Sequence, residues 1–243
     1  MYRQIVFLLL WTLGALTSTA YAQVSVRLSA GLISGSPIGA IPEGATGDPG
    51  LRLWAGTALE YRFAERLGLR LGIGINTKAS QYDAPVSGEQ QAEANIYGAE
   101  IRLPFAFDYE GNVRGRFVNR YVQVPLTIAY YNESRWIPYG GFYWARNIRP
   151  YHKGTVNVVV SNGIVEIRNQ SFDETAGLRG WDWGAIVGTD LKIIDEWGLS
   201  LELQYGLISI LETNPQGLDG SFRNLYIQAG TYVRLGKQGN KNK

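Results

Sequence analysis

The stretch RLGLRLGIGINTK, residues 66–78, places Leu67, Leu69, Leu71, Ile73 and Ile75 on one parity and Arg66, Gly68, Arg70, Gly72, Gly74 and Asn76 on the other. A period of two sustained this long predicts a β-strand, because a helix would scatter the same apolar residues around its circumference. The alternation begins at Arg66 and reaches residue 80, and it recurs over residues 24–34, 50–63, 120–131, 136–147, 179–193, 198–211 and 222–236. Connections between these runs alternate in length. Tight turns fall at Ala64-Glu65, at Asn132-Glu133-Ser134 and around IDEW (194–197), and longer connections separate the remaining runs. Eight strands so joined gather the tight turns at one end and the long loops at the other, the asymmetry of bacterial outer-membrane barrels.

Which parity meets lipid is decided by the non-apolar face. In residues 66–78 that face is glycine and arginine, not the Lys, Glu, Thr and Ser of a solvated strand. Glycine packs nothing on an exposed strand, whereas inside a narrow barrel it leaves room for long side chains from neighbouring strands. An arginine facing lipid near the midplane costs roughly 2–4 kcal/mol. The reading therefore turns Leu67 to Ile75 toward lipid, with Leu53, Leu59, Val122, Leu126, Ile128, Val187, Leu201, Ile227 and Val233 among those on the same face. The interior receives Arg27, Glu60, Arg62, Arg70, Asp182, Asp190, Lys192, Glu202 and Arg234, with Gln204 and Gln228, and both signs of charge predict a paired network. Tyr130, Tyr131, Trp136 and Trp197 near the tight turns, and Trp181 and Trp183 near the loops, are expected as two aromatic girdles at headgroup level.

Two segments carry strand signals of their own. NIYGAEIRLPFAFDYEGNVRGRF (95–117) reads as an extension of a hairpin beyond the membrane, and VNVVVSNGIVEIRN (156–169) as a small hairpin turning at Ser161-Asn162-Gly163. Counting residues 96–107 as a ninth spanning strand would break the even parity; a ten-stranded barrel is the alternative count.

Composition narrows the class further. Charged residues are 18% of the 243, below the roughly 25% of soluble domains. The 30 glycines exceed the usual share of about 7%. The absence of cysteine excludes disulfides, thiolate metal sites and an acylated-cysteine anchor, and the net charge of +2 gives no footprint for nucleic acid. Residues 1–22 read as a cleaved signal peptide: Arg3, an apolar stretch from Ile5 to about Leu16, then Ala20-Tyr21-Ala22 as an A-x-A site. The expected divisions are residues 1–22 as leader, 23–236 as barrel, and 237–243 as a short basic periplasmic tail.

NRYVQVPLTIAYY (119–131) followed by WIPYGGFYW (136–144), and WDWGAIVGTDL (181–191) followed by GLSLELQYGLISIL (198–211), resemble conserved blocks of the PorT-like, porin-family outer-membrane barrels of Bacteroidetes, with Tyr121, Pro125, Tyr205 and Gly206 at matching places. The resemblance implies an outer-membrane barrel without assigned chemistry; the name-giving member is linked to type IX secretion. Two departures are the ending YVRLGKQGNKNK, which lacks a strand-terminal aromatic, and the long hairpin before Arg120.

Little in the chain predicts chemistry. His152, the only histidine, lies in RPYHKG within a long outer connection and would need a serine such as Ser161 or Ser171 and a third group converging on it to catalyse anything. Asp182 and Asp190 share one parity of one strand but are separated by roughly 27 Å, too far for an acid–base pair. Asn132-Glu133-Ser134 has the glycosylation pattern by chance, since it occupies a tight turn. Outer connections hold an acidic excess, from Glu43, Asp48 and Asp83 to Glu174, Glu212 and Asp219, read as solvated surface.

The expectation is a monomeric, all-β, eight-stranded antiparallel up-and-down barrel of the bacterial outer membrane, its interior plugged by side chains. No catalytic residue, metal or cofactor is expected. Its expected partners are outer-membrane lipid and lipopolysaccharide, with a protein of a secretion or envelope complex, and not nucleic acid. Its role is structural, in assembly or surface interaction; the rivals are a narrow porin-like channel, a lipid-modifying hydrolase of the outer membrane and a secreted soluble barrel.

Overall fold

Each alternating run becomes a strand, and the chain closes on itself. The computed structural model describes residues 23–39, 45–90, 93–96, 99–102, 107–160, 165–173, 175–212 and 222–236. The expected leader (1–22), the basic tail (237–243), the turn at Ser161-Asn162-Gly163, and Glu43, Glu174 and Asp219 lie outside the described residues.

The strands are β1 (Gln23–Ile38), β2 (Thr46–Gly50), β3 (Arg52–Arg62), β4 (Leu67–Gln90), β5 (Glu93–Ile96), β6 (Ala99–Arg102), β7 (Phe107–Tyr130), β8 (Trp136–Arg149), β9 (His152–Val160), β10 (Val165–Asp173), β11 (Trp181–Lys192), β12 (Trp197–Gly206) and β13 (Arg223–Leu235). The main sheet has eleven of them, three more than the alternation counts. Eight close a ring in the order β1-β3-β4-β7-β8-β11-β12-β13, and β13 returns to β1 in antiparallel register from Val26↔Leu235 to Ile38↔Arg223. Closure leaves the ring no free edge, which a bilayer requires because nothing there can satisfy an open one.

The additional strands stand at one end. The β4 and β7 partners run from Leu67↔Tyr130 to Gln90↔Phe107. Where β3 ends its pairing with β4, β2 takes over; where β8 leaves β7, β9 takes over and β10 adds to it. The result is a five-stranded extension, β10-β9-β7-β4-β2, beyond the ring. The run at residues 50–63 is thus split, with Gly50 ending β2 and Arg52 opening β3. Residues 96–107 add no ring strand; β5 and β6 form a separate two-stranded sheet. Pro125, which has no N–H to give, interrupts the β4–β7 ladder between Leu71↔Leu126 and Gly74↔Gln123.

Burial inverts that of a soluble protein. Leu53 is 74% exposed, and Leu71, Ile73, Ile75, Val187, Leu201 and Ile227 are exposed on the outside, while Glu60 at 2% and Asp190 at 0% are buried inside.

Candidate functional site: the barrel interior

Charged side chains alternate inward with the leucines and isoleucines that face out, so the β-pleat itself delivers them to the axis. Near the tight-turn end, β1, β3, β4, β11 and β13 bring together Arg27, Glu60, Arg70, Asp190 and Arg234, each buried. Glu60 accepts a hydrogen bond from Arg234 Nε at 2.6 Å and makes ion-pair contacts with Arg70 Nε at 2.8 Å and Arg27 at 3.7 Å. Asp190 accepts from both terminal nitrogens of Arg27, from Nη2 at 2.9 Å, and makes an ion-pair contact with Arg70 Nη2 at 2.8 Å. Three guanidinium groups therefore face two carboxylates. Tyrosine rings carry part of the remaining charge, Arg27 lying 3.8 Å over Tyr232 and Arg70 5.0 Å from Tyr139.

A second cluster sits toward the loop end. Asp182 Oδ2 accepts from Lys78 Nζ at 3.0 Å, Tyr143 Oη at 3.0 Å and Asn224 Nδ2 at 2.7 Å. The Lys78 ammonium lies within 5.5 Å of the Tyr121, Tyr143 and Tyr226 rings. Between the clusters is a cavity of about 100 Å³ whose walls include Asn76, Gln123, Thr127, Glu202, Gln204 and Gln228. Asn76 Nδ2 donates to Gln123 Oε1 at 2.6 Å, and Glu202 accepts from Tyr139 Oη at 3.1 Å and Gln204 Nε2 at 2.7 Å. Over the loop end, Phe117, Leu178, Ile210 and Leu211 form a small apolar core.

The structure does not bring every expected residue into the network. Lys192 ends β11 at the tight turn and bonds Asp195 at 3.2 Å, because the strand has reached the rim. Arg62 stacks 3.8 Å over Tyr131 at the same rim. Glu202 does face the interior, where it accepts from Tyr139 Oη and Gln204 Nε2 on the wall of the cavity that Arg27 and Arg70 also line. Tyr131 leaves the girdle: consecutive residues cannot share a face, so with Tyr130 exposed Tyr131 turns inward and is buried. Tyr130, Trp136, Trp181, Trp183 and Trp197 are exposed. Asn76 lies inside, on the parity that the sequence assigns to the interior; Lys78, Gln123, Tyr139 and Tyr143 are not singled out by the sequence, although Lys78 continues the parity of Arg70.

His152 is not in a loose connection. It is buried in β9, its ring 4.0 Å from Phe117 and its Nε2 2.8 Å from Tyr82 Oη. Its backbone N–H donates to Thr175 Oγ1 at 3.1 Å. Among the described residues no group of three or more His, Asp or Glu side chains is arranged to hold a metal. Several outer carboxylates have local basic partners: Asp83 with Arg114 at 2.9 Å, Glu166 with Arg168 at 2.6 Å and Asp173 with Lys153 at 2.5 Å.

A closed antiparallel ring with an apolar exterior and an ion-paired interior is the architecture of a membrane-spanning β-barrel. Residues 17–212 match the family described as "Outer membrane protein beta-barrel domain", and the chain belongs to that family. It is an outer-membrane protein. No curated protein matches it. Among solved structures it is similar to Neisserial surface protein A, at 12% identity and TM-score 0.35 over 89% of this chain and 99% of that one. It is also similar to outer membrane protein OprG from Pseudomonas aeruginosa, at 12% identity and TM-score 0.38 over 89% of this chain and 98% of that one.

Proposed function

We propose that the protein is a monomeric, non-conducting and non-catalytic barrel whose eight-stranded ring is plugged and whose working surface is the outer five-stranded sheet, in a structural, assembly or surface-interaction role. The observation that carries this is the pair of buried ionic clusters, Arg27–Glu60–Arg70–Asp190–Arg234 and Lys78–Asp182, with the Phe117–Leu178–Ile210–Leu211 core over the loop end. Eight strands enclose an interior just wide enough for side chains to fill. The PorT-like resemblance makes a secretion or envelope complex the partner to seek first, by crosslinking in intact cells.

Planar-bilayer recording tests the plug: the native barrel should give no stable conductance. The cavity of about 100 Å³ between the clusters supports a second reading, a narrow channel. Steady single-channel currents from the native protein would establish that reading and refute the plug.

A further inference from the structure

On the outside of the barrel, β7 and β8 carry a basic strip at the upper margin of the apolar belt, beside Trp181 of β11. Arg120, Arg146 and Arg149 are exposed there. Arg120 lies opposite Arg149, and Arg146 opposite both Val122 and Trp181. The Arg120–Arg149 pairing depends on an irregularity in the ladder. Tyr121 pairs with Asn147 and the preceding Arg120 pairs with Arg149, so Ile148 is left over as a bulge. Bulges of this kind re-aim a side chain. Without it Arg120 would oppose Ile148, and Arg149 would share the inward parity of Asn147. The bulge is held by buried amides: Asn147 Nδ2 donates to Asn119 Oδ1 at 3.2 Å, and the Arg149 N–H donates to Asn147 Oδ1 at 3.3 Å.

Two like charges opposite one another on neighbouring strands are unfavourable alone. Nearby Arg114, Lys153 and Arg168 each have a carboxylate partner, whereas among the described residues Arg120, Arg146 and Arg149 have none. Their height supplies the missing anion. Arg120 is ten residues along β7 from Tyr130 at the tight-turn rim. At about 3.4 Å per residue and about 40° of tilt this is a rise of about 26 Å, against an apolar band of about 25 Å. Trp144 and Trp181, stacked at 4.5 Å with Arg146 lying 4.0 Å over Trp181, mark the same level as a headgroup boundary.

We propose that Arg120, Arg146 and Arg149 form a binding site for the phosphate of a phosphorylated glycolipid in the outer leaflet, its acyl chains lying along the apolar strands below. Guanidinium groups suit this task because their paired N–H donors match phosphate oxygens. The site goes beyond the proposed role and is independent of whether the interior conducts; it uses only the membrane location.

The test places the purified full chain in nanodiscs containing bisphosphorylated lipid A or enzymatically dephosphorylated lipid A, and counts retained lipid by native mass spectrometry. Each arginine beside an anionic headgroup contributes on the order of fivefold, so three should favour the phosphorylated lipid on the order of a hundredfold. The triple variant R120Q/R146Q/R149Q should retain both lipids equally while keeping the heat-modifiable gel mobility of a folded barrel. Equal retention of both lipids by the native protein would overturn the proposal, as would undiminished preference in the folded triple variant. If the variant does not fold, the native protein's discrimination between the two lipids decides. Equally tight binding of the bisphosphorylated disaccharide without acyl chains would assign the strip to a soluble phosphate and overturn the lipid site.

Discussion

Glu60→Gln should destabilise the barrel more than Arg70→Leu, although both remove a charge from the same cluster. Glu60 is the sole carboxylate partner of Arg234 among the described residues and one of two for Arg70. Replacing it leaves three guanidinium groups facing Asp190 alone. Breaking a buried pair so that a charge is left uncompensated costs about 3–5 kcal/mol. Arg70→Leu works the other way. Glu60 keeps Arg234 at 2.6 Å, Asp190 keeps Arg27, and two cations then face two anions. What is lost is two ion-pair contacts at 2.8 Å whose carboxylates keep other cations, about 1–3 kcal/mol. The gap of about 2 kcal/mol corresponds to roughly thirtyfold in the unfolding equilibrium. Urea unfolding in lipid bilayers, followed by tryptophan fluorescence and by the heat-modifiable gel band, measures it. Arg70→Leu proving equal to or costlier than Glu60→Gln would refute charge balance as the organising term of the cluster.

Ile73→Arg, six residues from Leu67 and so near the middle of the apolar band, should cost about 2–4 kcal/mol of insertion free energy, whereas Leu69→Arg near the rim should cost about 0–1; equal losses in bilayer unfolding would remove the depth argument. Burial holds the His152 imidazole down at about 4, against the opposing pull of Asp173, so above pH 6.5 the residue is neutral whether β9 is packed or open. Below pH 6.5 the open state takes a proton that the packed state refuses, so about 2–4 kcal/mol of local stability is lost as pH falls toward 4; limited proteolysis of β9 and β10 against pH should show this and His152→Phe should abolish it. A Cβ at Gly115 would lie 2.3 Å from the Tyr82 ring, so Gly115→Ala should cost about 1–3 kcal/mol as overpacking. In a Tyr82→Ala background the same change should turn neutral or mildly stabilising, and a penalty that persists in the double-mutant cycle would show that the ring is not what excludes the side chain.

Strand existence and facing were legible because a barrel wall is one residue thick: period two alone assigns each side chain to lipid or interior, as at Leu69 and Arg70. Strand ownership was not. Residues 108–117 keep a period of two with Tyr109, Val113 and Phe117 buried and Asp108, Glu110, Arg114 and Arg116 exposed, the reverse of the wall below them, and residues 81–90 show no clean alternation; both pair into the outer sheet, and the boundary between the two regimes is set by which neighbour supplies the next strand. Partner identity was illegible for a related reason. Parity placed Asp182 and Asp190 inside together, but height along the axis sends one to Lys78 and the other to Arg27 and Arg70. Height depends on the stagger between strands, and one sequence does not disclose it. Near the rim parity loses its force, which is why Lys192 and Arg62 left the network. At Tyr130-Tyr131 parity was the better guide and composition the worse one.

The glycine excess and the inward tyrosines are two halves of one packing rule. Gly184 stands opposite Tyr143, Gly188 opposite Tyr139 and Gly198 opposite Tyr232. A Cβ at these glycines would come within 2.7, 2.5 and 2.7 Å of the facing rings. The ring therefore lies across the glycine of the neighbouring strand, covering backbone that would otherwise be bare and fixing the register between the two strands. Lying flat also aims each hydroxyl sideways along the wall. Tyr143 thereby reaches Asp182 and Tyr139 reaches Glu202, while the Tyr232 ring is left broadside beneath Arg27. A larger residue in place of the glycine would stand the ring up into the axis and detach it from its carboxylate. The same glycines that let eight strands enclose so many tyrosines thus hold the ionic clusters in place, and a polar interior of this density follows from small residues as much as from charged ones.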